Sequence, residues 1–317
     1  MALIACLSSS CQFLGLDMYP PELQSASTSC DLPALVAEKT GYTFSRVNTI
    51  RQLSSGTTSL LFVLCETTSG NVVMVLDPAD LSYRSHRVGG SLPFGVDAAG
   101  YFMAGSQGYN PATGSWAALG TVVPISSYSN LVVSPADANP NVLAKAEGSM
   151  LSILAAENPW PAAMPSMCYS VQVSPSSSGS WRIEDAAASS SETRILLRND
   201  NGLTYYIDYA GSPYALCADV GTNMTATGFL ANTTAAQKFP FYCKENRCWL
   251  LDDCIVYVKQ NDDDRNITRM TLSDGNEIDS HLIDSKWKEA IYFEPTGERW
   301  YYYDTRVSKL CVLRTWW

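Results

Sequence analysis

An eight-residue pattern recurs along this chain of 317 residues and constrains what it can fold into. In Leu76-Asp77-Pro78-Ala79-Asp80-Leu81-Ser82-Tyr83 a large apolar residue is followed by a polar residue and a proline, and an aromatic closes the octet. Tyr109-Asn110-Pro111-Ala112-Thr113-Gly114-Ser115-Trp116 and Phe293-Glu294-Pro295-Thr296-Gly297-Glu298-Arg299-Trp300 keep the same spacing. Val173 to Trp181 repeats it with one residue added, Val132 to Asp137 echoes its first half, and Ile207 to Tyr214 keeps the spacing but moves the proline. The physical content is a hairpin. A strand ends on the apolar residue, a short polar side chain starts the turn, proline fixes φ, and small polar residues complete the reversal. The closing aromatic begins the return strand, so both flanks are bulky and apolar while the tip stays in water.

Repetition at intervals of roughly 25 to 50 residues marks a solenoid, a propeller or an array. Strand signals dominate from Tyr42 onward, which selects an all-β fold: a single β-propeller of about six or seven blades. The strongest strand segments are Thr57 to Cys65, Val72 to Leu76, Tyr101 to Ala104, Trp116 to Val123 and Asn130 to Val133, each bounded by Gly, Ser, Asn or Pro. Thr67 to Asn71 reads as a hairpin turn, as do Ser176 to Gly179 and Asn199 to Gly202. Ala144 to Ala156 fits helix or strand, since Met150 to Leu154 is short and apolar without decisive periodicity, and it is read as strand. Later pairs run from Phe241 to Leu251, from Cys254 to Lys259 with Ile267 to Leu272, and from Ile291 through Leu310 to Trp317.

Asp31 to Lys39 is the best helix candidate, with Asp31 as N-cap, Pro33 in the first turn and Gly41 after the end. No low-complexity linker divides the chain, so residues 1–40 are read as an arm or closing segment and 41–317 as the propeller. Because strand signals reach Trp317, a segment before about Arg51 is expected to join the sheet that contains Leu310 to Trp317, closing the ring and hiding two edges.

Composition limits the function classes. Hydrophobic residues make up 46% and charged residues 16%, which describes a folded globular chain. The 21 basic and 31 acidic residues give a formal net charge of -10, and no basic run exists to follow a phosphate backbone, so nucleic acid is not an expected partner. The same balance disfavours an anionic membrane surface. No run approaches the length of a transmembrane helix. The apolar opening from Met1 to Leu7 lacks a basic flank and is short, so it is read as mature structure and not as a cleaved signal.

Tyr109 followed by Trp116, with Gly89-Gly90 upstream, resembles the kelch repeat of β-propellers, in which a diglycine, a Tyr and a Trp mark each blade. The resemblance to kelch covers this one repeat, and that to propellers as a class covers about residues 40 to 317. It implies ligand or partner binding by loops at one end of a central channel, and it implies no reaction.

Catalytic motifs are absent from the sequence: there is no phosphate-binding glycine loop, no G-x-S-x-G elbow and no H-E-x-x-H. The two histidines, His86 and His281, each sit beside ordinary polar residues. A propeller glycosidase needs opposed carboxylates about 5 to 10 Å apart; Asp97, Glu184, Asp208, Asp252 and Glu294 are the candidates, three of them in or beside turns where acidic residues occur anyway. The sialidase box S-x-D-x-G-x-T-W is missing, since Ser176 and Ser178 replace its Asp and Gly. Asp262-Asp263-Asp264 begins like a calcium loop but lacks the glycine and the closing Glu, and reads as a solvated hairpin tip. Cys243, Cys248 and Cys254 are spaced too unevenly for a zinc ribbon. No metal or cofactor is expected.

Of ten cysteines, Cys243 and Cys248 flank the tip Lys244 to Arg247 and are expected to form a disulfide, with Cys6 and Cys11 a second pair to consider. Sequons occur at Asn223, Asn232 and Asn266. The aromatic residues Trp300, Tyr301, Tyr302, Trp316 and Trp317 are candidate contact anchors, since exposed aromatics anchor interfaces. Two function classes follow. The first is a non-catalytic structural or binding propeller that mediates assembly with other proteins or copies of itself, a virion part such as a phage tail or spike component. The second is an extracellular carbohydrate-active or glycan-binding propeller.

Overall fold

The computed structural model describes residues 28–92, 94–96, 101–118, 130–132, 141–147, 150–156, 169–172, 181–188, 193–199, 204–209, 235–239, 248–261, 264–272, 276–283 and 288–315. Among these residues the strands form six sheets, each of four antiparallel strands. Sheet 1 holds β2 (Phe44–Ser55), β3 (Thr58–Thr67), β4 (Gly70–Leu76) and β5 (Tyr83–Val88). Sheet 2 holds β6 (Phe94–Val96), β7 (Phe102–Ala104), β8 (Gln107–Asn110) and β9 (Ser115–Ala118). Sheet 3 holds β10 (Asn130–Val132), β11 (Asn141–Glu147), β12 (Met150–Ala156) and β13 (Tyr169–Gln172). Sheet 4 holds β14 (Trp181–Ala188), β15 (Thr193–Asn199), β16 (Thr204–Tyr209) and β17 (Ala235–Phe239). Sheet 5 holds β18 (Cys248–Leu250), β19 (Cys254–Asn261), β20 (Asp264–Thr271) and β21 (Glu277–Ile283).

Sheet 6 is assembled differently. Its strands β22 (Lys288–Phe293), β23 (Arg299–Asp304) and β24 (Lys309–Arg314) are consecutive, but its fourth strand is β1 (Thr28–Asp31). β1 lies antiparallel to β24, with Ser29 opposite Cys311 and Cys30 opposite Leu310. The four-stranded antiparallel meander is the unit from which propeller blades are made, and the fold fits that class.

First strands meet first strands: β22 lies against β2, β2 against β6, β6 against β10, β10 against β14, and β14 against β18. Sheet 5 reaches sheet 6 through Trp249, whose ring is 5.1 Å from that of Phe293, and through the Asp252 N–H, which donates to Pro295 O at 2.9 Å.

The recurrent octets are hairpin turns. Leu76 stands opposite Tyr83, Tyr109 opposite Trp116, and Phe293 opposite Trp300. At each tip the polar second residue works as the pattern requires: Asp77 Oδ1 accepts from Ala79 N at 2.8 Å, and Asn110 Oδ1 accepts from Ala112 N at 2.9 Å. Glu294 N donates to Arg299 O and Gly297 N donates to Glu294 O. Gly114 and Gly297 take φ of 68° and 74°, a region open to glycine at little cost. The aromatic closures pack on their partners, with Tyr109 and Trp116 rings 5.3 Å apart and Phe293 and Trp300 rings stacked at 5.5 Å. The first two octets join the third and fourth strands of their sheets, whereas the last joins the first and second. The turn is therefore reused at different places in the four-strand unit.

Sheet 1 shows how the core is built. Residues 61, 63, 65, 72, 74 and 76 face a cluster shared with sheets 5 and 6, while 60, 62, 64, 73 and 75 face Phe94, Phe102 and Tyr109 of sheet 2. Both faces are buried, which is why β3 and β4 read as continuous apolar runs and not as alternating ones. Each such side chain contributes roughly 1.5–3 kcal/mol by leaving water.

The helix α1 (Leu32–Thr40) forms as its signals dictate. Asp31 Oδ1 caps Ala34 N at 2.9 Å, and Gly41 closes the helix at φ 74° with its N–H on Ala37 O. Leu32 and Val36 are buried.

Val173 to Ser180 lie outside the described residues; β13 before them belongs to sheet 3, and β14, which Trp181 opens, belongs to sheet 4. Of the octet Ile207 to Tyr214, Ile207 to Tyr209 end β16 and Ala210 to Tyr214 lie outside the described residues. Gly89-Gly90 follows the last strand of sheet 1, while Tyr109 and Trp116 lie in sheet 2. The three therefore do not mark one blade, and the kelch resemblance does not hold at this repeat. Gly90 is required for another reason: a Cβ there would stand 2.6 Å from Val73 Cγ2.

Candidate functional site

The first strands of four sheets bring a polar network together. Arg51 on β2 donates from Nη1 to Asp185 Oδ1 on β14 at 3.1 Å. Asp185 Oδ2 accepts from Leu250 N on β18 at 2.8 Å. The Arg51 guanidinium also stands 5.4 Å from the ring centroid of Tyr292 on β22. Tyr292 OH donates to Gln52 O at 3.4 Å, and Tyr301 OH lies 2.8 Å from Gln52 Oε1 and 3.2 Å from Pro78 O, two acceptors for one proton. Sheets 1, 4, 5 and 6 thus share one set of polar contacts.

A bulge aims the acid. The register of β14 against β15 shifts between Ile183 and Asp185, so Asp185 takes the place opposite Leu196 that Glu184 would hold in a regular strand. Glu184 is one of the five carboxylates read from the sequence as candidates; Asp185, which is not among them, joins this network.

Burial pushes the phenols of Tyr292 and Tyr301 well above their ordinary range, so both keep their protons at neutral pH. Burial also raises the Glu294 carboxyl, partly offset by the Thr296 hydroxyl 3.1 Å away. Asp185 commits one oxygen to Arg51 and the other to a backbone N–H. Further ties join neighbouring sheets: Trp116 Nε1 on β9 donates to Ser85 Oγ on β5 at 2.9 Å, and Arg194 Nη1 on β15 donates to Leu251 O and Asp252 O.

Trp300 and Tyr301 are fully buried and Tyr302 nearly so, which corrects their reading as exposed contact anchors. They fill the core where sheet 6 meets sheets 1 and 5: Trp300 stacks on Phe293 and lies 4.8 Å from Tyr302. Trp316, Trp317, Cys243 and Asp97 lie outside the described residues. Cys248 is buried on β18 opposite Tyr257 of β19, and no disulfide joins any two of the described cysteines. Burial pushes the Cys30 and Cys254 thiols up to about 12 and raises Cys65 further. Asp208 is on β16, Asp252 is exposed at the β18–β19 turn, and Glu294 is buried. The sequon at Asn266 falls inside β20, where Thr268 is fully buried and shares a hydrogen bond with Ser280 Oγ at 2.9 Å.

Among the described residues no group of three or more His, Cys, Asp or Glu is placed to hold a metal ion. No helix among them is long and apolar enough to cross a membrane.

No protein-family model matches the chain, and no curated protein matches it either. Among solved structures the chain is similar to the β-propeller domain of Cps50 (Swd1) from Myceliophteria thermophila, with 10% sequence identity and a TM-score of 0.47. That match covers 86% of this chain and 99% of the other. The fold assignment rests on the strand pairing described above.

Proposed function

We propose that the protein is a six-bladed β-propeller closed by its N-terminal strand, and that it serves as a non-catalytic scaffold that binds other proteins in a larger assembly. The observation that carries this reading is the Arg51–Asp185 pair. In a ring of six blades, sheets 1 and 4 stand opposite each other, so this ion pair crosses the axis where propellers commonly hold ligands. Its groups are spent on the protein itself, which leaves the outer strands and turns as the surface available to partners. β1 supplies the fourth strand of sheet 6 and makes the last blade from both ends of the described chain.

A virion component such as a phage tail or spike part is the setting we propose. The low proportion of charge, 16%, and the aromatic content of 11% are what this reading rests on. Within this reading Cys243 and Cys248 are proposed to form a bridge, testable by mass spectrometry of unreduced peptides.

The test measures the full chain for association by light scattering across concentrations, and for hydrolysis of chromogenic glycosides. The scaffold reading expects self-association or capture by an assembly partner, with no turnover. A monomer that releases the chromophore, and stops doing so in Asp185→Asn or Glu294→Gln, is a glycosidase and overturns it.

A further inference from the structure

The N-terminal strand runs into a helix whose far end lies against Tyr83, and Tyr83 in turn is hydrogen-bonded to a histidine. β1 runs directly into α1, since Asp31 is both the last residue of the strand and the helix cap. Lys39, in the last turn of α1, places its ammonium 4.8 Å from the centroid of the Tyr83 ring on β5. Tyr83 OH in turn lies 2.8 Å from His86 Nδ1. Three residues apart on a regular strand, Tyr83 and His86 would point to opposite faces. The register shift in the pairing of β4 with β5 removes that alternation: Leu76 stands opposite Tyr83, Val75 opposite Ser85, and Met74 opposite His86. Both rings therefore face the side on which α1 packs, while Ser85 faces sheet 2 and receives the Trp116 N–H.

We propose that His86 is a proton sensor for this latch: a proton on its imidazole loosens the seat of α1 on sheet 1 and, through the shared Asp31, the hold of β1 on β24. The charged and titratable groups that face His86 are Lys39 from α1, with Glu38 beside it, and Tyr83 from its own strand. β4 presents the uncharged Met74 opposite. Arg84, the residue skipped by the register shift, is paired with Asp77 Oδ2 at 2.6 Å, and Tyr109 of β8 completes the set near Tyr83. Glu38 is engaged with Lys39 at 2.6 Å. A proton on His86 sets a second cation beside Lys39 and fixes Nδ1 as a donor to the Tyr83 oxygen, whereas the neutral ring can accept the Tyr83 O–H there.

The direction follows from linkage. Burial, and then the Lys39 charge, hold His86 below the ordinary imidazole range. The closed latch thus takes up this proton less readily than the opened one, and closure weakens as pH falls below about 6.5. One proton limits the effect to about tenfold in the closed-to-open ratio per pH unit.

Hydrogen–deuterium exchange of residues 28–40 in the full chain, at pH 7.5 and 5.5 with intrinsic rates corrected, tests this. The wild type is expected to lose protection several-fold at the lower pH. His86→Asn keeps an acceptor near Nδ1 without titrating, and Lys39→Met removes the opposing cation; both are expected to flatten the response. An unchanged pH response in either variant, or no response in the wild type, overturns the proposal. Because the readout is local, it stands or falls separately from the scaffold function.

Discussion

Arg51 Nη1 and Asp185 Oδ1 lie 3.1 Å apart although the two residues are 134 positions apart in the chain. Their strands, β2 and β14, lead sheets that are three places apart in the order of contacts. An arginine extends only several ångströms from its backbone, so the pair fixes how closely these sheets approach. The side chains are 29% and 14% exposed, which places the pair between a surface contact and a buried one. It offsets part of the cost of bringing polar groups to the middle of the fold, where an unanswered Asp185 would be expensive.

The tie between sheets 1 and 2 gives a separable prediction. Trp116 packs its ring on Tyr109 and near Phe62 while its N–H reaches Ser85 Oγ. Trp116→Phe is expected to keep much of the packing and lose the hydrogen bond, at a cost of about 1–2 kcal/mol. Ser85→Ala is expected to cost about 1 kcal/mol, and the double variant less than the sum. Urea unfolding of the three variants checks this.

Much of the fold was legible because its signals are local. The Asp31 cap, Gly41 stop and octet turns need only neighbours in sequence to satisfy them, and all three are present. What the sequence did not reveal depends on contacts made across sheets. Glu184 and Asp185 are indistinguishable by type and position, and the bulge that selects Asp185 follows from how β14 meets β15. Trp300, Tyr301 and Tyr302 read as a sticky surface because three successive aromatics cannot all face one side of a strand. Sheet 6, with neighbours on both faces, buries them all. β17 and β21 carry mixed polar sequence, as outer strands of their sheets do, and offered no periodicity to read.

The cap of α1 sets the stability of the N-terminal segment. Asp31→Ala removes the acceptor of Ala34 N and is expected to cost about 1 kcal/mol. Because Asp31 also ends β1, amide exchange should quicken at Cys30 and through the first turn of α1 before it does in β3 and β4.

Glu294 makes stability depend on pH in the direction opposite to most carboxylates. Burial raises its folded-state value above that of the unfolded chain. The native state then binds the extra proton, so the contribution is fully present below the unfolded value of about 4.5 and is lost as pH rises through the folded one. Glu294→Gln is expected to flatten this fall, and the variant should gain stability over the wild type as pH rises from 5 toward 8. Thermal unfolding across that range reads it; a parallel pair of curves would show that the Glu294 proton plays no part.

A double-mutant cycle on Arg51 and Asp185 decides whether sheets 1 and 4 face each other across a closed ring. Arg51→Met and Asp185→Asn are each made alone and together, the second keeping an acceptor for Leu250 N. Urea unfolding of the four proteins is expected to give a coupling of about 1–2 kcal/mol, as for a hydrogen-bonded ion pair partly withdrawn from water. Additive effects, within about 0.3–0.5 kcal/mol, would place the two residues apart and contradict the ring.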